Sequence, residues 1–377
     1  MSSTNEMVKV ENKVWATVKR LSKRWFIDAF SGMAQGLFVT LIAGTILSMI
    51  AGWLGNNAFG AMVTTVANFA KTLMGAGIGV GIAHALKANK LVMFSAAVAG
   101  IVGAFSDKII AGQVVLSLGA PGNPIGAYVV ALFTVEIASL YAGKTKLDII
   151  LIPLGMLALS LGAVYLAWPF IKLVDLFAQL LVITINAGEA IKIITGIFIA
   201  IVMGILLTMP TSSAAIWIAI AGSNTALANP EVFAIAGGAA VAGCAAHMVG
   251  FAVTSYRENG FGGLVAQGIG TSMLQIPNIM KKPVIMVPEI VSSAIAGAVA
   301  VLLDLRCTAA GGGMGTSGLV GVFGAIDACA AYSVSPVNTV LGIVLCLFVI
   351  PAGVSLAVSE YLRGKNIIKS GDLKLDL

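Results

Sequence analysis

The chain has 377 residues, 59% of them hydrophobic and only 10% charged, with a net charge of +6 and a mean hydropathy of +1.01. Water-soluble domains carry roughly a quarter charged residues, so this composition excludes a soluble enzyme or soluble binding module. The basic residues sit at the chain ends and in short polar connections, the pattern that orients membrane spans, which argues against nucleic acid as a partner.

The first 29 residues carry Lys9, Lys13, Lys19, Arg20, Lys23 and Arg24 and lack the short apolar core of a signal peptide. Residues 14–26 read as a basic amphipathic helix on the cytoplasmic membrane surface, anchored by Trp15 and Trp25; the plain alternative is a solvated tail. Apolar runs follow at 30–54, 58–86, 91–105, 125–142, 147–168, 193–209, 232–256, 284–303 and 337–362. All but the third are long enough to cross a hydrocarbon core of about 30 Å. Placing Lys87, Lys90, Lys144, Lys146, Arg363 and Lys365 on the inside with the N-terminus predicts cytoplasmic termini and about ten crossings. The expected fold is an all-α polytopic integral membrane protein. Its parts are a basic tail (1–29), an N-terminal half (30–168), an amphipathic connector (169–190), a C-terminal half (191–362) and a second tail (363–377). Cys244, Cys307, Cys329 and Cys346 lie in apolar text without CxxC spacing and read as small core residues.

The two halves resemble each other weakly. Residues 35–47 (QGLFVTLIAGTIL) align with 195–207 (TGIFIAIVMGILL), 98–102 (VAGIV) with 295–299 (IAGAV), and 119–126 (GAPGNPIG) takes the place of 313–318 (GMGTSG). Each half thus carries a glycine-rich, breaker-rich stretch, at 106–123 and at 306–318. Two such interruptions at corresponding positions predict a pair of re-entrant segments beside a solute site. A further break is expected at 209–213 (MPTSS), where proline ends the apolar run.

Ionisable groups inside spans cost several kcal/mol unless paired or wetted, so each is a candidate. They are Lys71, Glu136, His247 and Glu289, with Asp304 and Asp327 flanking the glycine stretch. Glu289 follows Pro288 at a span start, where it either accepts the hydroxyls of a sugar or exchanges a proton; the alternative is a helix-capping carboxylate favoured by the dipole. Glu136 lies mid-span and calls for Lys71 or a polar ligand as its partner. His247 reads as a packing residue or a ligand. Residues 256–278 (YRENGFGGLVAQGIGTSMLQIPN) supply Gln267, Gln275 and Asn278 as neutral hydrogen-bonding groups, and Arg257 and Glu258 read as a local ion pair. Thr316 and Ser317 in the second glycine stretch and Asn123 in the first complete the candidate binding set. Two histidines, without HExxH or CxxC, predict neither a metal site nor any other cofactor. The glycine stretch lacks the lysine of a phosphate-binding loop, and no G-x-S-x-G hydrolase elbow occurs.

Residues 249–283 (VGFAVTSYRENGFGGLVAQGIGTSMLQIPNIMKKP), followed by 313–321 (GMGTSGLVG), resemble the membrane-embedded IIC components of the bacterial phosphotransferase system, in the branch that includes the perfringolysin regulator PfoR. The resemblance spans nearly the whole chain. It implies a homodimeric permease of the bacterial plasma membrane that binds a sugar or similar polyol. Phosphate would be donated by separate IIA and IIB partners, since the chain carries no such domain. The sugar-contacting glutamate of the N-I-x-E-P type is absent, and Glu289 in V-P-E-I is the candidate to stand in for it. The alternatives are a membrane sensor or regulator, and an ion-coupled carrier without phosphotransfer.

Overall fold

In hydrocarbon a backbone must satisfy its own polar groups, so long apolar runs become helices. The computed structural model describes residues 15, 17–55, 57–113, 118–209 and 213–375. Among them the elements are helical, in order α1 (Thr17–Leu54), α2 (Ala58–Thr72), α3 (Met74–Ala85), α4 (Lys90–Ala104), α5 (Ser106–Ile110), α6 (Pro124–Tyr141), α7 (Asp148–Asn186), α8 (Glu189–Thr208), α9 (Ser213–Ala221), α10 (Asn224–Ala228), α11 (Pro230–Thr254), α12 (Tyr256–Val265), α13 (Ile276–Lys281), α14 (Val287–Leu302), α15 (Ala309–Gly312), α16 (Val320–Ala331) and α17 (Pro336–Gly364).

Seven helices among the described residues are long and apolar enough to cross a membrane. The count is eight if α2 and α3, bent by 51° at Leu73, form one span; about ten were expected. The bend interrupts the run that reads as continuous from 58 to 86. At the break Thr72 Oγ1 donates to Asn68 O (2.8 Å) and accepts from Gly119 N (2.7 Å), so a hydroxyl takes up backbone groups there. The basic segment before the first apolar run is helical from Thr17 and continuous with α1, while residues 1–14 and 16 lie outside the described set. So do 210–212 in the expected MPTSS break and 114–117 in the first glycine stretch. Within the stretch 169–190 the helix breaks only at 187–188, before α8, and α7 runs through Pro169 to Asn186. There it buries Ile171, Asp175, Ala178 and Ile185 at helical spacing.

The chain forms two compact units, Met1–Gly44 with Thr65–Phe170, and Thr45–Thr64 with Ile171–Leu377. In the first, α3 packs on α1, α4 and α6, and α4 packs on α6. In the second, α11 packs on α8, α14 and α17, and α14 packs on α17. α8 also packs on α14 in the second unit, whereas α1 and α4, which align with them in sequence, do not pack on each other in this way in the first. Both units pack through small residues, which let backbones approach where no hydrophobic force separates protein from lipid. A Cβ placed on Gly75 would lie 2.6 Å from Gly100 O, and one on Gly297 would lie 2.5 Å from Ala200 Cβ and 2.8 Å from Gly196 O. All four cysteines are buried and unpaired in the second unit.

Candidate functional site

In the second unit the polar groups collect along one stripe of α11. There Gly250 leaves room for side chains from α14 and α17, and Gly243 lets the backbone of α8 approach at Ala200. Glu289 lies in the first turn of α14, behind a 3-10 turn at Pro283–Met286, and is fully buried. Thr254 Oγ1 donates to its Oε1 at 3.2 Å, while Oε2 has no partner among the described residues. A Cβ on Gly250 would meet Ser355 Oγ at 2.6 Å and Glu289 Cγ at 3.0 Å, so both side chains fill the space that this glycine leaves. Ser355 and Ser359 are fully buried one turn apart on α17, and neither hydroxyl has a partner among the described residues. Buried polar atoms are rarely left this way, and here Glu289 and Ser355 carry two of them at Gly250, with the third, on Ser359, one turn further along α17.

His247, also fully buried, lies one turn before Gly250. Its Nδ1 is 2.8 Å from Thr208 Oγ1, which is 3.0 Å from Ser272 Oγ, and its Nε2 is unpartnered among the described residues. Ser255, next to Thr254, leads into an amide ladder. Gln267 Nε2 donates to Ser255 Oγ (2.8 Å), Gln275 Nε2 donates to Gln267 Oε1 (2.9 Å), and Asn278 Nδ2 donates to Gln275 Oε1 (2.8 Å). Gln267 sits in a π-helical turn at Ala266–Gly270, and the glycine stretch fastens onto that turn. Thr316 Oγ1 donates to Gly268 O at 2.6 Å and Ser317 Oγ to Gly270 O at 3.0 Å. Gly315, at φ +56, passes so close to Cys244 that a Cβ would lie 2.9 Å from its side chain. Asp304 at the start of the stretch pairs with Arg306 (3.0 Å), which also pairs with Glu231 (2.9 Å).

Six of the eight expected binding residues (Glu289, Gln267, Asn278, Thr316, Ser317 and His247) therefore belong to one connected region. Asn123 and Glu136 belong to the first unit. Asn123 caps α6, accepting from Ile125 N and Gly126 N, with its Nδ2 unpartnered among the described residues. Glu136 is held by Arg24 Nε at 2.6 Å and Trp25 Nε1 at 3.1 Å, where Lys71 or a polar ligand was the expected partner. The predicted Arg257–Glu258 pair does not form. Neighbours in a helix point in different directions, and Arg257 instead reaches Glu360 (3.0 Å) while Glu258 holds Arg363 (2.9 Å). Sequence reading missed Ser355, Ser359 and Thr254. The signal for the serines was present as two hydroxyls spaced by four in the apolar run of α17.

Residues 27–375 match the family described as "Phosphotransferase system, EIIC". The chain belongs to the phosphotransferase system EIIC family. Membership makes it a multi-pass membrane protein and a sugar permease component of a phosphotransferase system, working with IIA and IIB components. No curated protein and no solved structure gives a significant match. For an EIIC protein the site needs neutral donors and acceptors for a hydroxyl-rich ligand, and the region around Glu289 supplies a carboxylate oxygen and two hydroxyls with no internal partner among the described residues.

Proposed function

We propose that this EIIC protein binds and translocates a sugar or similar neutral polyol at the cluster of Glu289, Thr254, Ser355 and Ser359, with Gln267, Asn278, Thr316, Ser317 and His247 around it. Phosphate comes from separate IIA and IIB subunits, and the protein works as a homodimer in the bacterial plasma membrane with both termini cytoplasmic. One observation carries this reading. Glu289 Oε2, Ser355 Oγ and Ser359 Oγ are buried together without partners among the described residues, and a buried polar atom left unmade costs about 1–3 kcal/mol. A ligand with adjacent hydroxyls removes that cost, donating to the carboxylate and exchanging hydrogen bonds with the serines.

The test is thermal unfolding of the purified protein against a sugar panel, with Glu289→Gln in parallel. A cognate sugar at a hundred times its Kd stabilises by about 2.7 kcal/mol. Glu289→Gln lowers affinity by roughly 10–150-fold, the equivalent of a lost charged hydrogen bond of about 1.5–3 kcal/mol. If no sugar moves the melting point, the binding site is not here. A second reading, an ion-coupled carrier, is favoured by a buried carboxylate whose only side-chain partner among the described residues is a threonine hydroxyl. Sugar uptake into liposomes without any IIB partner would bring it forward.

A further inference from the structure

The amide ladder does not end at Asn278. Its outer donors are taken by the C-terminal segment of the chain, which returns from α17 and lies across residues 256–282. Asn259 grips this segment through both ends of its amide, donating to Leu373 O (2.8 Å) and accepting from Leu375 N (2.8 Å). Gln275 Nε2 also donates to Leu373 O (3.0 Å), and Asn278 Nδ2 donates to Lys374 O (2.9 Å). Lys282 Nζ holds Asp372 at 2.6 Å. Ile368 and Leu373 are 2% and 1% exposed, packed with Phe251, Ile279 and Ile285.

This is the chemistry of peptide recognition. Side-chain amides read the backbone at 373–375 of a turn-rich segment, an apolar pocket takes Ile368 and Leu373, and one ion pair sets the register. The same amides carry the ladder inward through Gln267 to Ser255, beside Thr254 and Glu289. We propose that Asn259, Gln275, Asn278 and Lys282 form a peptide groove, filled by the chain's own residues 368–375, and that this segment is a removable strap over the polar segment of the ligand site. When docked, the strap occupies the outer amides with its own carbonyls. When it lifts, those donors are freed, and residues 256–282 stay tied to the end of α17 through the Arg257–Glu360 and Glu258–Arg363 pairs while losing the grip on 372–375. The gating part rests on the reading that the ligand site lies at Glu289 and the amide ladder; the groove itself does not.

The test uses the full-length chain with Leu373→Glu, which puts a charge into the Phe251–Ile279–Ile285 pocket, and a fluorescent peptide with the sequence of residues 366–377. In the wild type the tethered segment outcompetes the peptide, since a short tether supplies an effective concentration in the millimolar range. Leu373→Glu binds the peptide at least tenfold more tightly than wild type, and adding Lys282→Glu removes most of that gain. Initial sugar uptake rises at least twofold in Leu373→Glu. Equal peptide binding by wild type and Leu373→Glu, both folded and monodisperse, overturns the groove. Peptide binding without faster uptake overturns the gate. If Leu373→Glu fails to fold, Asp372→Lys opens the register pair and is read in the same way. The peptide assay needs no sugar, so its outcome holds for the groove even where the sugar site fails its own test.

Discussion

Replacing Gly75 with alanine tests whether small-residue seams hold this EIIC fold together. Gly75 opens α3 and faces α4, where a Cβ would lie 2.6 Å from Gly100 O and 2.9 Å from Ala104 Cβ. Ordinary contact begins at 3.4 Å. Neither obstacle is a flexible side-chain end, so the helices must part by about 0.8 Å, the shortfall between those two distances. A gap of that size forfeits a quarter to a half of the dispersion energy of each contact along the seam. Overpacking of this kind costs about 1–3 kcal/mol. At roughly 2–4 °C per kcal/mol for a chain of this size, the melting point falls by several degrees. The matched control is Gly162→Ala in α7, where nothing lies within 4 Å of the added Cβ. There alanine removes the backbone-entropy penalty of a helical glycine, about 0.5–1 kcal/mol, and stability holds or rises. Thermal unfolding in one detergent compares the two directly. If Gly75→Ala is as stable as Gly162→Ala, close backbone approach is not what packs α3 on α4.

Two further outcomes follow from the ion pairs. Arg24→Met strands the half-buried Glu136 carboxylate and lowers stability by about 1–3 kcal/mol, whereas Arg24→Met with Glu136→Met recovers most of it. A double-mutant cycle with coupling near zero would mean that Trp25 alone suffices to hold Glu136. For Asp372, partial burial pushes the carboxyl up, while the hydrogen bond from Lys282, the Lys369 amide and the charges of both lysines pull it further down, leaving it below the usual carboxylate range. A depressed value in the docked state means the strap's ion pair contributes fully above the ordinary carboxylate range, about pH 4. That contribution is lost as pH falls through the docked value. Binding of the 366–377 peptide to Leu373→Glu therefore weakens between pH 6 and about pH 3, and Lys282→Gln flattens that dependence. Equal weakening in the Lys282→Gln background would assign the effect to another group.

Composition and local pattern carried the class of this protein. Long apolar runs with few charges have one stable solution in a bilayer, and residues 249–283 with 313–321 carried the family. The polar stretch at 256–278 and Glu289 after Pro288 stood out locally because polar side chains inside apolar text are costly. Tertiary structure alone decided who meets whom. Arg24 reaches Glu136 across 112 positions, and Leu373 O sits on Gln275 across 98. It is also what brought Glu289 and Ser355 together in the space opened by Gly250, with Ser359 one turn along α17, each with a side-chain oxygen that has no partner among the described residues. Periodicity reports which face of a helix is apolar, but in lipid almost every face is apolar. The choice of neighbour is made by where two glycines let backbones touch, and that is set only when the helices pack.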